Sequence, residues 1–348
     1  AAIYHLTKSL NRTFEYSRVC AGTAALLFLF NPFLMADTYH QIVQMAVPRA
    51  FFPLFLTALI SGLRRGDLRY APLVAIATFG LTITFPIEQY AFFGAAFGCA
   101  IALTVFVSPT KAPGGAQRNR ARRRFIVATL GLTMVSNAYI VWYVLFFSSY
   151  LSTPYGSFSP SPAFGATLGL QNTLRLQCAW AFYTSYAGLD YVPYAPAYLG
   201  SPLVQLLTFL IPILAFAPIV LKPRHKPILL MTMAALIALF LAKNYNSPFG
   251  GAFAFLVNTI PGFKLFYAGW PFVDLLAVLY AYLVGSAIGL ICELKLGSNG
   301  TSGMPKRAKR LLSRSRGVAG VLVSLSLIAS LVLVSWPLVT GAVSQNWT

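Results

Sequence analysis

Charge is what this sequence has least of. Only 9% of its 348 residues are Asp, Glu, Lys or Arg, against about 25% in a water-soluble domain. The acids are scarcest, at seven. That deficit, with repeated apolar runs, argues against a soluble domain and for an integral membrane protein. The four cysteines (Cys20, Cys99, Cys178, Cys292) show no paired spacing, and three lie in apolar runs. A disulfide framework or a zinc site is therefore not expected. The three histidines are far apart and no HExxH occurs, so no metal site is predicted from them. There is no Walker A sequence, no strand-to-helix GxGxxG and no GxSxG. No basic-apolar-cleavage signature is seen at the start of the chain. It begins at Ala1 rather than Met and ends just past an apolar run, so a piece of a longer protein is expected.

What is present is a series of apolar runs. They predict an all-α, polytopic membrane helix bundle of about nine transmembrane helices, in one domain over residues 1–348. The spans fall at about 20–36, 43–63, 70–86, 90–108, 125–148, 201–221, 227–242, 268–292 and 317–341. Asn31-Pro32 should break or kink the first near its far end. Gly285 and Gly289 form a small-xxx-small pair that should let another helix pack closely on the eighth.

The basic residues set the orientation. Segments 1–19, 64–69, 109–124, 222–226 and 293–316 hold 22 of the 26 Lys and Arg residues; residues 1–19 read as a polar segment and 110–124 as a polar loop. With nine spans, all five segments fall on one side, which the positive-inside rule makes cytoplasmic. The N-terminus is then inside and the C-terminus outside, and the protein is multi-pass in the plasma membrane. The net charge of +19 is thereby orientation signal and lipid contact rather than a nucleic-acid footprint. The sequons at Asn11 and Asn299 fall inside and are expected to stay unmodified.

Two long segments remain outside, 149–200 and 243–267. The first holds seven tyrosines and five prolines, with Arg175 and Asp190 as its charges, and part of it (171–188) could lie as an interfacial helix. The second has Pro and Gly at 248–251 and 261–262, which make it a shaped loop. The scarce outer charges are Arg49, Arg175, Lys243 and Lys264, with Asp37, Glu88, Asp190 and Asp274. Arg49 and Asp274 lie within spans, where an ionisable group faces protein or water and has a partner. They read either as an outward-facing site or as a snorkelling or structural ion pair. The tyrosines read either as a platform for sugar rings or as a loop packed on the bundle.

Three stretches carry a resemblance: LLFLFNPF (27–34), LRLQCAWAFYTSY…PYAPAY (174–198) and NSPFGGAFAFLVNTIPGFKLFYAGWPF (246–272). They resemble multi-spanning GT-C-type glycosyltransferases, with the cadence of the arabinofuranosyltransferase-like and related membrane proteins. The resemblance implies transfer of a sugar from a polyprenyl-phosphate donor, outside the membrane, to a glycan, lipid or protein. It implies a carboxylate in the first outer loop as base or metal ligand, which leaves a divalent cation open as cofactor, and basic residues on the donor phosphate. Here the first outer connector is only Ala36 to Gln41, without the usual paired acids. On this reading Asp37, Asp190 and Asp274 are the candidate acids. Arg49, Arg175, Lys243 and Lys264 are the candidate phosphate contacts, with Tyr191, Tyr194 and Trp270 lining the substrate groove. The alternative is a non-enzymatic scaffold, transporter or lipid or glycan translocator, although no internal repeat is evident.

Overall fold

The computed structural model describes residues 1–11, 14, 16–34, 36, 46–82, 115–139, 167–183, 185–186, 189–190, 192–260, 263 and 269–293. Nearer the end it describes 322, 325–327, 329–330 and 332–340. The helices are α1 (Ala2–Leu10), α2 (Ser17–Leu29), α3 (Ala46–Arg65), α4 (Tyr70–Thr82), α5 (Gly115–Ser136) and α6 (Leu170–Leu174). They continue with α7 (Ala195–Gly200), α8 (Pro202–Leu221), α9 (Lys226–Ala242), α10 (Gly250–Thr259), α11 (Trp270–Glu293) and α12 (Trp336–Val339). A two-residue antiparallel hairpin pairs Ser185 with Asp190 and Tyr186 with Leu189. The protein is helical, as its apolar runs imply.

Three helical segments are long and apolar enough to cross a membrane: Ser17–Leu34, Pro202–Leu221 and Phe272–Glu293, with mean hydropathies of 1.3, 2.4 and 2.2. The helices Tyr70–Thr82, Lys226–Ala242 and Gly250–Thr259 are apolar but shorter. The span expected at 90–108 lies outside the described residues.

Helix α11 is the centre. α2, α8 and α9 pack on it, and almost every residue from Phe272 to Leu290 is buried. A second group, α3, α4 and α5, packs together, and α1 joins the two by touching α2, α3 and α11. Lipid tails are as apolar as Leu, so burial alone does not drive helices together inside a bilayer. Close van der Waals contact does, and the Gly285/Gly289 pair provides it. A Cβ at Gly285 would collide with the Cys20 carbonyl oxygen of α2, and one at Gly289 with the Cys20 Sγ. The sequence pair thus marks the α2 contact.

Polar groups tie the same seam. The Asn11 amide donates to Ser286 Oγ at 2.8 Å, and Tyr282 OH donates to Asn11 Oδ1 at 3.0 Å. All three side chains are buried. Asn11 is therefore closed to glycosylation by packing, a reason independent of sidedness.

The Asn31-Pro32 break occurs where expected. α2 stops at Leu29, and Asn31 Oδ1 accepts from the Leu34 backbone N–H at 3.0 Å, capping the turn that Pro32 begins. Four expectations need correction. Residues 2–10, read only as polar, form a docked helix, because Ile3, Leu6 and Leu10 share a buried stripe. Residues 115–124 are not loop but the first turns of α5: Ala, Gln and Arg are good helix formers, and Arg122 Nε donates to the Leu63 carbonyl of α3 at 2.9 Å. The stretch 171–188 is not one interfacial helix. α6 ends at Leu174, and Leu176 takes a left-handed φ of 58° that no helix continues through. The stretch 243–267 is not all loop, since α10 forms inside it.

The helices give the bundle two different ends. At one end, Arg64 of α3 donates to the Ser9 carbonyl of α1, and Lys222 lies 4.6 Å from the Phe14 ring. The starts of α2, α4, α5 and α9 share it, so Lys8, Arg65, Arg69, Arg122, Arg123, Arg124, Arg224 and Lys226 gather there. At the other end lie Arg49, Arg175 and Lys243.

The glycine seam makes a checkable prediction. Gly285→Leu pushes α2 off α11 and destabilises the bundle by about 1–3 kcal/mol, read as a lowered thermal midpoint in detergent. Gly22→Leu on α2, where a Cβ meets nothing within 4 Å, leaves the midpoint nearly unchanged.

Candidate functional site

Arg49 sits in the first turn of α3 and Asp274 in the second turn of α11. They are 225 residues apart, and the fold joins them. Arg49 Nε donates to Asp274 Oδ1 at 2.7 Å. The arginine is buried, and the aspartate side chain keeps 18% of its exposure. The guanidinium lies 4.9 Å above the centre of the Phe33 ring, in the turn that Asn31 caps. That stacking and the charge-assisted bond fix the arginine from two directions.

The other candidate cations at this end turn inward. Lys243 follows the last residue of α9, and its Nζ donates to the carbonyls of Asn246 (2.7 Å) and Pro248. Its ammonium lies 5.4 Å from the Phe240 ring. It closes the tight loop 243–249, in which Asn244 and Phe249 both take positive φ. Gly250 has to be glycine there, because a Cβ would collide with the Tyr245 carbonyl oxygen. Burial draws the Lys243 ammonium below the ordinary lysine range.

Arg175 caps α6. Its Nε donates to the Gln171 carbonyl at 3.1 Å, and an Nη donates to Asn172 Oδ1 at 3.0 Å. Its guanidinium lies 5.0 Å from the Phe209 ring of α8. Burial lowers its pKa from the ordinary value. It acts as a staple between the 167–183 segment and α8.

The tyrosines divide. Tyr194 and Tyr198 are buried: Tyr198 stacks on Phe182 at 5.2 Å, and Tyr194 meets Trp336 edge-on at 6.1 Å. These two pack the segment down rather than offer open ring faces. Tyr183 is exposed, and its OH donates to the Gln177 carbonyl at 3.0 Å. Asp190 is exposed at the end of the hairpin, paired with Ser185 through the backbone. Trp270 opens α11. Asp37, Lys264 and Tyr191 lie outside the described residues. Among the described residues, no group of three or more His, Cys, Asp or Glu is arranged to hold a metal.

Sequence reading singled out Arg49 and Asp274, with a structural ion pair as one reading, and missed Phe33. The signal for Phe33 was its place just after Asn31-Pro32, where a capped turn re-aims the following side chains. The fold also gathers the three stretches set apart in the sequence. Phe33 in 27–34 lies under Arg49, Asp274 follows 246–272, and Tyr194 in 174–198 touches Trp336, whose neighbour Ser335 donates to the Phe30 carbonyl at 2.9 Å.

No family model matches the chain, and no curated protein or solved structure matches it either.

The pair predicts its own energetics. Arg49→Ala or Asp274→Ala leaves one charge without its partner and costs about 3 kcal/mol, the low end for a buried pair because Asp274 is partly open to solvent. The double variant Arg49→Met/Asp274→Leu recovers most of that loss. Thermal unfolding of the four proteins in one detergent checks the cycle.

Proposed function

We propose that this chain is the helical core of a GT-C-type membrane glycosyltransferase. It transfers a sugar from a polyprenyl-phosphate donor to a glycan, lipid or protein acceptor on the extracytoplasmic side of the plasma membrane. The observation that carries the reading is the Arg49–Asp274 pair. It sits at the bundle end away from the basic cluster, where the stretches with the glycosyltransferase cadence come together.

In this reading Asp274 is the base. It takes the proton of the acceptor hydroxyl, which attacks the anomeric carbon as the bond to the donor phosphate breaks. Arg49 orients that carboxylate and offsets the negative charge on the departing polyprenyl phosphate. Arg175 and Lys243 shape the groove by holding their own segments. A divalent cation, if the reaction takes one, binds with help from the connector that holds Asp37.

The transmembrane arrangement belongs to the same proposal: nine spans, a cytoplasmic N-terminus and an outside C-terminus. Helix directions support it. α2, α4, α5 and α9 run away from the basic end, while α3, α8 and α11 run toward it, the alternation that a multi-pass chain requires. Single cysteines at Gly115 and Gly303 should be labelled only from the cytoplasm, and those at Tyr155 and Gly251 only from outside. Labelling of Gly115 or Gly303 from outside sinks the orientation and with it the outer site.

A second reading, a non-enzymatic membrane scaffold or translocator, draws on a specific observation. Lys243 and Arg175 spend their donors on protein groups. One experiment separates the two. In proteoliposomes supplied with polyprenyl-phosphate-linked sugars, Asp274→Asn lowers transfer by about 100-fold or more, the scale of a lost general base. The exchanged pair Arg49→Asp/Asp274→Arg keeps the thermal midpoint but not the turnover. Unchanged transfer by Asp274→Asn removes Asp274 as base. Absence of any transfer by the unaltered protein favours the scaffold.

A further inference from the structure

The basic end holds a second site with a different chemistry. A cleft of about 740 Å³ opens where α1 lies along the second half of α3, with the starts of α2 and α4 as its rims. Lys8 and Arg65 supply its positive charge, and Ser9, Ser17, Ser61 and Tyr70 line it with hydroxyls. No carboxylate lines it among the described residues. Asp67, close by in sequence, is held by Arg69 at 3.1 Å instead.

The cationic groups are already arranged. One Arg65 Nη donates to Tyr70 OH at 2.9 Å, and the guanidinium lies 5.7 Å from that ring. This uses one of the five N–H donors that an arginine carries. The Lys8 ammonium lies 5.8 Å from the Tyr4 ring and makes no ion pair with a described residue. The hydroxyls of Ser17 and Ser61 make no hydrogen bond to another described residue. Lys8, Arg65 and several hydroxyls thus line one cleft with no carboxylate among the described residues, a complement to phosphate oxygens.

The surroundings add an apolar half. Ser17 begins the apolar segment Ser17–Leu34, and Tyr70 begins α4, along which Leu73, Ile76 and Phe79 are exposed. The polar cleft therefore sits directly over apolar surface, the layout of an amphiphile with a phosphate head. Basic pockets between helices on one side of a membrane bind anionic lipid headgroups in this way.

We infer that this cleft binds the phosphate of an anionic membrane phospholipid through Lys8 and Arg65, with an acyl chain along the exposed face of α4. The inference is independent of the sugar-transfer reading and needs only that the chain lies in a membrane.

The test uses the purified full chain in a neutral detergent. Bound lipid is counted by native mass spectrometry, and affinity is read from the shift in thermal midpoint. The probes are phosphatidylglycerol, phosphatidylcholine and inorganic phosphate. Phosphatidylglycerol should bind and raise the midpoint, and phosphatidylcholine should do so far less. Lys8→Gln/Arg65→Gln should weaken phosphatidylglycerol about tenfold or more, the scale of two lost surface cations. Lys8→Gln alone, which leaves the Arg65–Tyr70 contact intact, should lose part of that affinity with no change in the lipid-free midpoint. Arg123→Gln/Arg124→Gln, on the exposed face of α5 at the same end, should keep it. Equal binding of the two lipids, or equal loss in the α5 control, overturns the site in favour of general surface charge. A full effect from inorganic phosphate alone overturns the lipid assignment in favour of a soluble anion.

Discussion

A helix with almost no face left for lipid must find partners for its polar groups inside the protein, and α11 is such a helix, although its buried Tyr280 hydroxyl has no hydrogen-bond partner among the described residues. Its backbone polar groups are paired within the helix, but Tyr282 and Ser286 bring side-chain hydroxyls into the seam. Those hydroxyls are met by Asn11, a residue of the turn between α1 and α2. The bond works only because α2 comes close, and α2 comes close only because residues 285 and 289 are glycine. Interhelical hydrogen bonds of this kind contribute about 0.6 kcal/mol each on average. Their greater effect is on register, since a slide of one residue along α11 would bury Asn11 without partners at a larger cost. The position of α2 then fixes where its C-terminal end falls, and so where the capped turn presents Phe33.

The Arg49–Asp274 pair depends on that chain of placements. Arg49 comes from the second helix group and Asp274 from the central one, so the pair joins the two halves of the bundle at one end, as Arg64 on the Ser9 carbonyl joins α3 to α1 at the other. Burying two charges costs several kcal/mol per ion, and mutual attraction repays it only with good geometry. A packed pair of apolar residues would hold the same place as firmly. The ion pair is therefore poorly explained by stability alone. Its aspartate also retains solvent access that a purely structural partner would not need.

How much of this was legible beforehand follows from what each signal reports. Apolar length marked α8, α9 and α11 to within about two residues, because a long run of Leu, Ile, Val and Ala has few alternatives to a helix. Gly285 and Gly289 announced a close contact, and Asn31-Pro32 announced a break, because both are local backbone effects. Charge misled where it was read as loop. Six basic residues in 111–124 suggested a polar connector, yet arginine is a good helix former and its stem lies along apolar neighbours. The amphipathic stripe of α1 was overlooked because the segment is short and was counted for its charges alone. A structural ion pair was one of the readings open for Arg49 and Asp274, but their bond to each other was not legible. Each residue could be recognised as costly within a span, but only the fold, which brings the first turn of α3 to the second turn of α11, says that they answer each other.

The two ends of the bundle are chemically opposite, and this shapes what each can hold. At the basic end, cations outnumber acids among the described residues and stand partly in solvent, so they attract anions over a Debye length. At the Arg49 end, every described cation is buried and already donating to a carbonyl, an amide oxygen or a carboxylate. A negatively charged ligand arriving there must displace an existing partner rather than meet a free charge. Among these partners only Asp274 is itself an ionised group on a separate helix. Exchanging it for a ligand phosphate would trade one charge-assisted bond for another at small net cost. Displacing the Lys243 or Arg175 contacts would instead undo a loop closure. Among the described residues, the Arg49–Asp274 pair is for that reason the place at this end where binding and packing can be exchanged without unfolding a segment.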